Sequence, residues 1–294
     1  AGLIMEQLPQ LKKDQILLEP ARRNTAPCNA WAAYHIKAKN PDAKIMVCPS
    51  DHLILKQDEF RRCALSAFAF LARHDALLTF GVKPNRPETG YGYIQLGEHA
   101  EGDFAKVKTF TEKPNEELAK VFVASGEFFW NSGMFFWGVD TIIKAFHDLA
   151  PDIAQRFDSA AQVWGTAGEQ AYIDENYASC PNISIDFAIM EKAPNVYVQQ
   201  VDFGWSDLGT WGSLYDNSPK NRDGNVTQNC KALLFNSHNN VIAVKGDKLV
   251  VASGLNDYIV ADVDDALLIV PKSDEQKLRT YVNEVKSNFG DKYL

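Results

Sequence analysis

Ile45-Met46-Val47-Cys48-Pro49-Ser50-Asp51-His52 decides how this chain reads: a short apolar run stops at a proline and delivers a serine, a carboxylate and an imidazole. Helix-like segments flank it on both sides, so it fits a buried central strand of an α/β sheet. Ligands of such sheets collect outside the carboxyl ends of the strands, which makes Asp51 a candidate site residue. Ser50 or Asp51 could equally cap the helix that follows.

Upstream, Ile16-Leu17-Leu18-Glu19-Pro20 reads as a short strand stopped by proline. Arg22-Arg23-Asn24-Thr25-Ala26-Pro27 then leads into a helix over residues 28–39, with Thr25 as its cap and Pro27 in its first turn. The start of that helix, beside two arginines, suits an anion or a nucleotide edge, although Arg22 and Arg23 also read as a solvated pair.

Downstream, apolar residues at three- and four-residue spacing predict a helix over 58–73, and 76–82 is the next strand. Strand, helix and strand make a βαβ unit, which predicts a parallel sheet here. Residues 83–92 form a loop rich in Pro and Gly, in which Gly90 and Gly92 bracket Tyr91. Glycines so placed let backbone approach a ligand, and they also serve as plain turn formers. Residues 93–96 and 106–110 read as strands, the second running into Glu112-Lys113-Pro114. Such a pair can accept a hydroxyl and meet a phosphate, or be an ordinary surface ion pair.

After a helix at 116–125, the stretch Phe128-Phe129-Trp130-Asn131-Ser132-Gly133-Met134-Phe135-Phe136-Trp137 interrupts six aromatics with an amide, a hydroxyl and a glycine. Aromatic runs are core more often than binding surface, but an amide among rings also suits a hydroxylated ligand on an apolar wall. Residues 140–149 and most of 151–177 read as helical. Ser184 opens a further helix with Asp186 in its first turn, and the strand at 196–201 delivers Trp205-Ser206-Asp207-Leu208-Gly209. Asp51 and Asp207, from distant strand ends, could together hold a magnesium ion, which prefers one or two protein carboxylates and keeps its other positions for water and phosphate oxygens. Beyond residue 221 short β runs recur every 8–12 residues between Asn, Gly and Asp, as in a small stacked β structure, and an amphipathic helix follows at 273–288. The expected division is 1–221 and 222–294.

Composition narrows the classes. With 294 residues, 46% hydrophobic and 23% charged, the chain can bury a sizeable core, and a net charge of -8 argues against nucleic-acid binding. Five scattered cysteines without a Cys-x-x-Cys pair suggest neither a disulfide framework nor a zinc site. No apolar run reaches the length of a membrane span, and the expected location is the cytoplasm.

The ordered set Arg23-Asn24-Thr25-Ala26-Pro27, Pro49-Ser50-Asp51-His52, Glu88-Thr89-Gly90-Tyr91-Gly92-Tyr93-Ile94, Glu112-Lys113-Pro114, Asn131-Ser132-Gly133-Met134-Phe135, residues 186–192 and Trp205-Ser206-Asp207-Leu208-Gly209 resembles the bacterial mannose-1-phosphate guanylyltransferases, over nearly the whole chain. The resemblance implies a Rossmann-like (GT-A-like) nucleotidyltransferase with a mixed sheet flanked by helices and a small C-terminal β domain. It implies GDP-mannose and pyrophosphate made from GTP and α-mannose 1-phosphate with magnesium as cofactor, and a homodimer is compatible with it. It implies that Asp51 and Asp207 hold the metal and that Lys113 meets a phosphate. Arg23, Asn24, Thr25, Ala26, Pro49 and Ser50 would border the nucleotide, and Tyr91, Gly92, Glu112, Asn131 and Asp186 the sugar.

Two departures accompany it. Enzymes of this kind begin with a strand and a Gly-x-Gly-x-Arg loop around the triphosphate, whereas Gly2 is the only glycine in the first eighty residues. The expectation is that the first part of the catalytic domain is absent from this chain and that it transfers poorly. Longer relatives also carry an isomerase domain with clustered histidines, and here only His238 lies beyond position 147. The rival readings are a nucleotidyltransferase for another sugar 1-phosphate and a non-catalytic sugar-nucleotide-binding module.

Overall fold

The computed structural model describes residues 2–293, the side chains of residues 99 and 100 excepted. In chain order these residues form α1 (Gly2–Gln7), α2 (Thr25–Lys39), β1 (Lys44–Val47), β2 (Leu53–Ile54), α3 (Gln57–Leu71), β3 (Leu77–Val82), β4 (Tyr93–Glu101), β5 (Phe104–Thr111), α4 (Glu116–Ser125) and β6 (Phe128–Gly138). Then come α5 (Val139–Leu149), α6 (Pro151–Asp158), α7 (Glu169–Asn176), β7 (Val196–Val201), β8 (Trp205–Ser206) and α8 (Trp211–Asn217). The chain closes with β9 (Val226–Gln228), β10 (Lys231–Phe235), β11 (Val241–Val244), β12 (Leu249–Ser253), β13 (Tyr258–Val263), β14 (Ala266–Pro271) and α9 (Leu278–Phe289). They make two compact units, residues 1–50 with 56–203 and residues 51–55 with 204–294. The boundary expected at 221/222 thus falls inside the second unit.

The first unit is built on a six-stranded sheet of order β1-β6-β3-β7-β5-β4. β6 runs antiparallel to both β1 and β3, and β3 runs parallel to β7. The sheet is therefore mixed, which corrects the parallel pairing expected from the βαβ pattern. Residues 45–47 also differ from expectation: β1 pairs only with β6, sits at the sheet's edge and is half-buried. Local periodicity cannot reveal this, because the strand between β1 and β3 is the aromatic β6, some eighty residues further on. Residues 16–18 form no strand; the Ile16 amide bonds to Lys13 O in a short turn.

Side chains alternate across the sheet and divide the core. On one face Leu77, Phe135, Trp137 and Val196 meet α2, α5 and α6, where Ala26, Ala30 and Ala33, all fully buried on α2, let α5 approach closely. On the other, Phe60 and Phe68 of α3 pack edge-on against Phe80 and Phe136. Asn24, at a positive φ of 62°, caps α2 in place of Thr25.

The second unit carries a two-stranded antiparallel pair, β2 with β8, and a small β-helix. β9, β11 and β13 stack in parallel with β14 closing the sheet antiparallel, and β10 pairs in parallel with β12. Asn229, Asn236, Asn239, Asp257 and Asp264 all have positive φ, the left-handed conformation that Asn and Asp tolerate best among residues with a side chain. Asn225 and Asn240 form a buried ladder between coils. Asn240 Nδ2 donates to Asn225 Oδ1 (2.8 Å) and Leu255 O (2.8 Å), its Oδ1 accepts from Tyr258 N (2.9 Å), and Asn225 Nδ2 donates to Ser237 O (2.7 Å). This is the stacked β structure that the even strand spacing implied. Among the described residues no helix is long and apolar enough to cross a membrane, and all five cysteines are free.

Candidate functional site

The loop after β3 is stiffened from within. Glu88 is buried, its Oε1 accepts from Gly90 N (3.1 Å), its own amide donates to Tyr93 Oη (2.9 Å), and Arg86 Nε lies 3.4 Å from its Oε2. A carboxylate can be buried only when so supplied with donors and a countercharge. Tyr91 packs edge-on against Trp130, over which Arg86 also lies. The loop is thereby held ahead of β4 without a ligand, and Gly92 is buried at its end.

Gly92 meets the polar interruption of the aromatic strand. Its carbonyl accepts from Asn131 N (2.8 Å), and a Cβ at this position would fall well inside contact distance of Glu112 Oε2 and 3.3 Å from Asn131 Cβ. Glycine is required here by the approach of two neighbours, not by backbone conformation. Glu112, just past β5, keeps only 9% of its side chain exposed. Its Oε1 lies 3.1 Å from Lys113 Nζ, while its Oε2 is buried with no hydrogen-bond partner among the described residues. Lys113 itself has a φ of 48°, unusual for a lysine, and the Glu112 amide at this turn donates to Glu191 Oε1 (3.2 Å).

Asp186 and Glu191 both come from one short element. Residues 186–190 form a single π-turn in which the Glu191 amide bonds to Asp186 O (2.9 Å), and Ser184 Oγ accepts from Phe187 N (3.3 Å) at its start. Serine thus opens the element as the sequence suggested, but the turn is wide, a geometry that recurs at functional sites. Asp186 Oδ1 accepts from Asn131 Nδ2 (2.9 Å), while Asn131 Oδ1 accepts from Thr79 Oγ1 (3.1 Å) and Gly133 N (3.2 Å).

Glu112 and Asn131 therefore meet against Gly92, Asp186 is bonded to Asn131 and Lys113 is paired to Glu112, and this group of side chains is the candidate pocket. Burial pushes the Glu112 carboxyl above its usual range, and the charge of Asp186 adds to this. Burial also raises Asp186, against hydrogen bonds from Asn131 and Ser184 and the charge of Lys113. Two desolvated carboxylates, one with an unpartnered oxygen, beside an oriented amide form an acceptor-rich cluster whose chemistry suits a ligand with several hydroxyl donors.

The residues read as nucleotide-binding are also in the first unit, and the start of α2 among them touches the segment that leads into Asp186. The Arg23 guanidinium donates to Ala178 O through Nη2, Thr25 Oγ1 accepts from Ile185 N (2.8 Å), and Ala26 is fully buried with its amide bonded to Ile183 O (3.1 Å). Asn24 is exposed, Pro49 half-buried and Ser50 exposed.

Asp51 and Asp207 both belong to the second unit. The Leu53↔Ser206 pairing of β2 with β8 brings the residues just outside it, His52 and Asp207, alongside one another. Trp205 Nε1 donates to His52 Nδ1 (3.0 Å). Burial lowers the His52 imidazole, and the charges of Asp51 and Asp207 both oppose that shift. Both carboxylates are thus near enough to the imidazole for their charge to act on it. Asp51 is exposed and caps no helix, since α3 begins six residues later at Gln57. Among the described residues no group of three or more His, Cys, Asp or Glu could hold a metal.

Sequence reasoning passed over Thr79, Glu191 and the anchoring role of Glu88. Thr79 carried a visible signal, a hydroxyl within an otherwise apolar strand. Glu191 carried none, since its role depends on a turn brought to it from another element.

A mixed sheet flanked by helices, an acceptor-rich cluster at β4, β5 and β6, and a small β-helix define an α/β protein with a second, β-helical unit. Comparison with known proteins narrows the class. The nucleotidyl transferase family model matches residues 3–224, and that of the mannoseP isomerase/GMP-like β-helix domain matches residues 231–285. The chain belongs to the nucleotidyl transferase family. It is 36% identical over 289 residues to a putative mannose-1-phosphate guanylyltransferase of Vibrio cholerae, a match that covers 97% of this chain and 61% of that protein. It is 37% identical over 298 residues to the mannose-1-phosphate guanylyltransferase of Escherichia coli K12, with the same coverage of each. The chain therefore spans about three-fifths of the length of these relatives. Among solved structures it is similar to one titled mannose-1-phosphate geranyltransferase from Thermus thermophilus, at a TM-score of 0.81 and 26% identity, covering 97% of this chain and 81% of that one.

Proposed function

We propose that this chain is the sugar-nucleotide-forming part of a mannose-1-phosphate guanylyltransferase, which joins GTP and α-mannose 1-phosphate into GDP-mannose and pyrophosphate. The observation that carries this reading is the buried Glu112 Oε2, a desolvated acceptor left without a donor beside Asp186 and the Asn131 amide. A buried carboxylate oxygen without a partner is costly, and a sugar hydroxyl would satisfy it. The names of the relatives support mannose as that sugar.

In this reading Glu112 and Asp186 accept sugar hydroxyls, Asn131 donates one, Tyr91 and Gly92 line the floor, and Lys113 meets a phosphate. Arg23, Asn24, Thr25, Ala26, Pro49 and Ser50 are assigned to the nucleotide, where Thr25 and Ala26 act by shaping the start of α2. A phosphate oxygen of the sugar attacks the α-phosphorus of GTP, the new O–P bond forms in line with the breaking bond to the β-phosphate bridge, and pyrophosphate leaves. No general base is required, since a phosphate monoester is already ionised at neutral pH, and positioning with charge neutralisation supplies the catalysis. Asp51 and Asp207 would hold magnesium, which when bound neutralises phosphate charge.

The test is ligand-induced stabilisation. GDP-mannose is expected to raise the melting temperature more than UDP-glucose at equal concentration, because only a ligand bound by the folded state shifts it. Preferential stabilisation by UDP-glucose would overturn the choice of base and sugar.

A further inference from the structure

We propose that Thr79 is a positioning residue for the pocket: its hydroxyl fixes which way the Asn131 amide faces, and hence the donor and acceptor pattern offered to the sugar. This rests on the reading of the pocket as a sugar site.

Thr79 sits in the middle of β3 with no exposed surface, opposite Phe135 on β6 and Val198 on β7. A threonine hydroxyl there must donate, and two acceptors lie in reach, Asn131 Oδ1 at 3.1 Å and Met134 O at 3.0 Å. With one hydrogen, two networks are self-consistent. In the first, Thr79 donates to Asn131 Oδ1, Gly133 N–H donates to the same oxygen at 3.2 Å, and Asn131 Nδ2 donates to an ionised Asp186 at 2.9 Å. In the second the amide is turned by half a revolution: Nδ2 donates to Thr79, Thr79 donates to Met134, and Asn131 Oδ1 faces Asp186.

The second network is self-consistent only if Asp186 is protonated, and it sets the Gly133 N–H against an NH2 group. The first therefore prevails, held by the Thr79 hydroxyl and the Gly133 amide together. It leaves the second Nδ2 hydrogen of Asn131 as a donor to the ligand and Asp186 as an acceptor. Turning the amide would exchange those roles. Asp186 lies close to that choice, because burial already favours its neutral form while Asn131, Ser184 and Lys113 hold it ionised, and because the neighbouring Glu112, itself paired to Lys113 and near Glu191, is also acidic.

Removing the hydroxyl while keeping the volume should release the amide. In Thr79→Val the Asp186 carboxyl, followed by 13C NMR titration of the unliganded chain, is expected to titrate at higher pH than in the unaltered protein, and Thr79→Ser is expected to restore the midpoint. By calorimetry, Thr79→Val should bind GDP-mannose about tenfold more weakly, the loss expected for one charge-assisted hydrogen bond, with Thr79→Ser close to the unaltered chain. A strictly structural role would lower the melting temperature without moving the Asp186 midpoint. An unchanged midpoint in Thr79→Val, or an equal shift in Thr79→Ser, would overturn the proposal. If the unaltered chain binds no GDP-mannose the sugar reading fails, and the titration still decides the role of Thr79. Should the valine variant not fold, Thr79→Cys, a weaker donor of similar size, is expected to shift the midpoint in the same direction, and no shift there would count against the proposal.

Discussion

Two groups of buried polar side chains in this molecule are built on opposite plans. In the β-helix, the Asn225 and Asn240 amides are paired to one another and to main-chain groups of neighbouring coils. In the pocket, Glu112 keeps a buried oxygen without a partner, and both Glu112 and Asp186 have carboxyls raised by desolvation. A saturated network holds a fold together, whereas an unsaturated one is maintained at a cost that the surrounding structure must offset. Between these two groups the difference lies in the completeness of hydrogen bonding, not in burial.

Breaking the saturated network should give the largest effect. Asn240→Ala removes three side-chain hydrogen bonds and takes away the acceptor of the Tyr258 amide, while Asn225 Oδ1 keeps the residue-240 amide and Leu255 O keeps the His238 amide. At about 1 kcal/mol for each bond lost it is expected to cost about 3 kcal/mol of stability, read from urea unfolding. A loss under 1 kcal/mol would mean that water or a relaxed coil replaces the ladder. Gly92→Ala is the corresponding test in the pocket. The new methyl collides with the Glu112 carboxylate, so affinity for GDP-mannose should fall by roughly 30-fold, about 2 kcal/mol, with little change in unfolding. Glu191→Gln should be smaller still. It keeps an acceptor for the Glu112 amide but removes a charge, so the Glu112 carboxyl should titrate lower and affinity change by no more than about threefold. A tenfold loss would make the charge of Glu191 part of recognition itself.

How much of this the sequence carries depends on the range of the interaction. The Gly-Tyr-Gly loop, Asn131 within its aromatic run and the even strand spacing beyond residue 221 are local signals, and the structure gives each a local cause. The edge position of residues 45–47 is not local, because it is set by β6 pairing on both sides. Nor is the assembly of the pocket: Asp186 reaches it through a π-turn and Glu112 through a lysine at positive φ, neither of which side-chain periodicity encodes. Asp51 and Asp207 were legible as two acids after strand-like runs, whereas the two-residue ladder of β2 with β8 that brings His52 and Asp207 alongside is too short to leave a pattern.

The most direct test is one pair of readings on Glu112→Gln, GDP-mannose affinity by calorimetry and melting temperature across pH. The carboxyl of Glu112 is raised in the folded state, so its contribution to stability is fully present below the unfolded pKa and is lost as pH rises through the folded pKa. An amide that never ionises should therefore melt higher than the unaltered chain at pH 8 and gain nothing at pH 4, while binding GDP-mannose at least tenfold more weakly. A variant that binds as tightly as the unaltered chain and melts lower at pH 8 would show Glu112 to be a structural peg, and would contradict the account of this pocket.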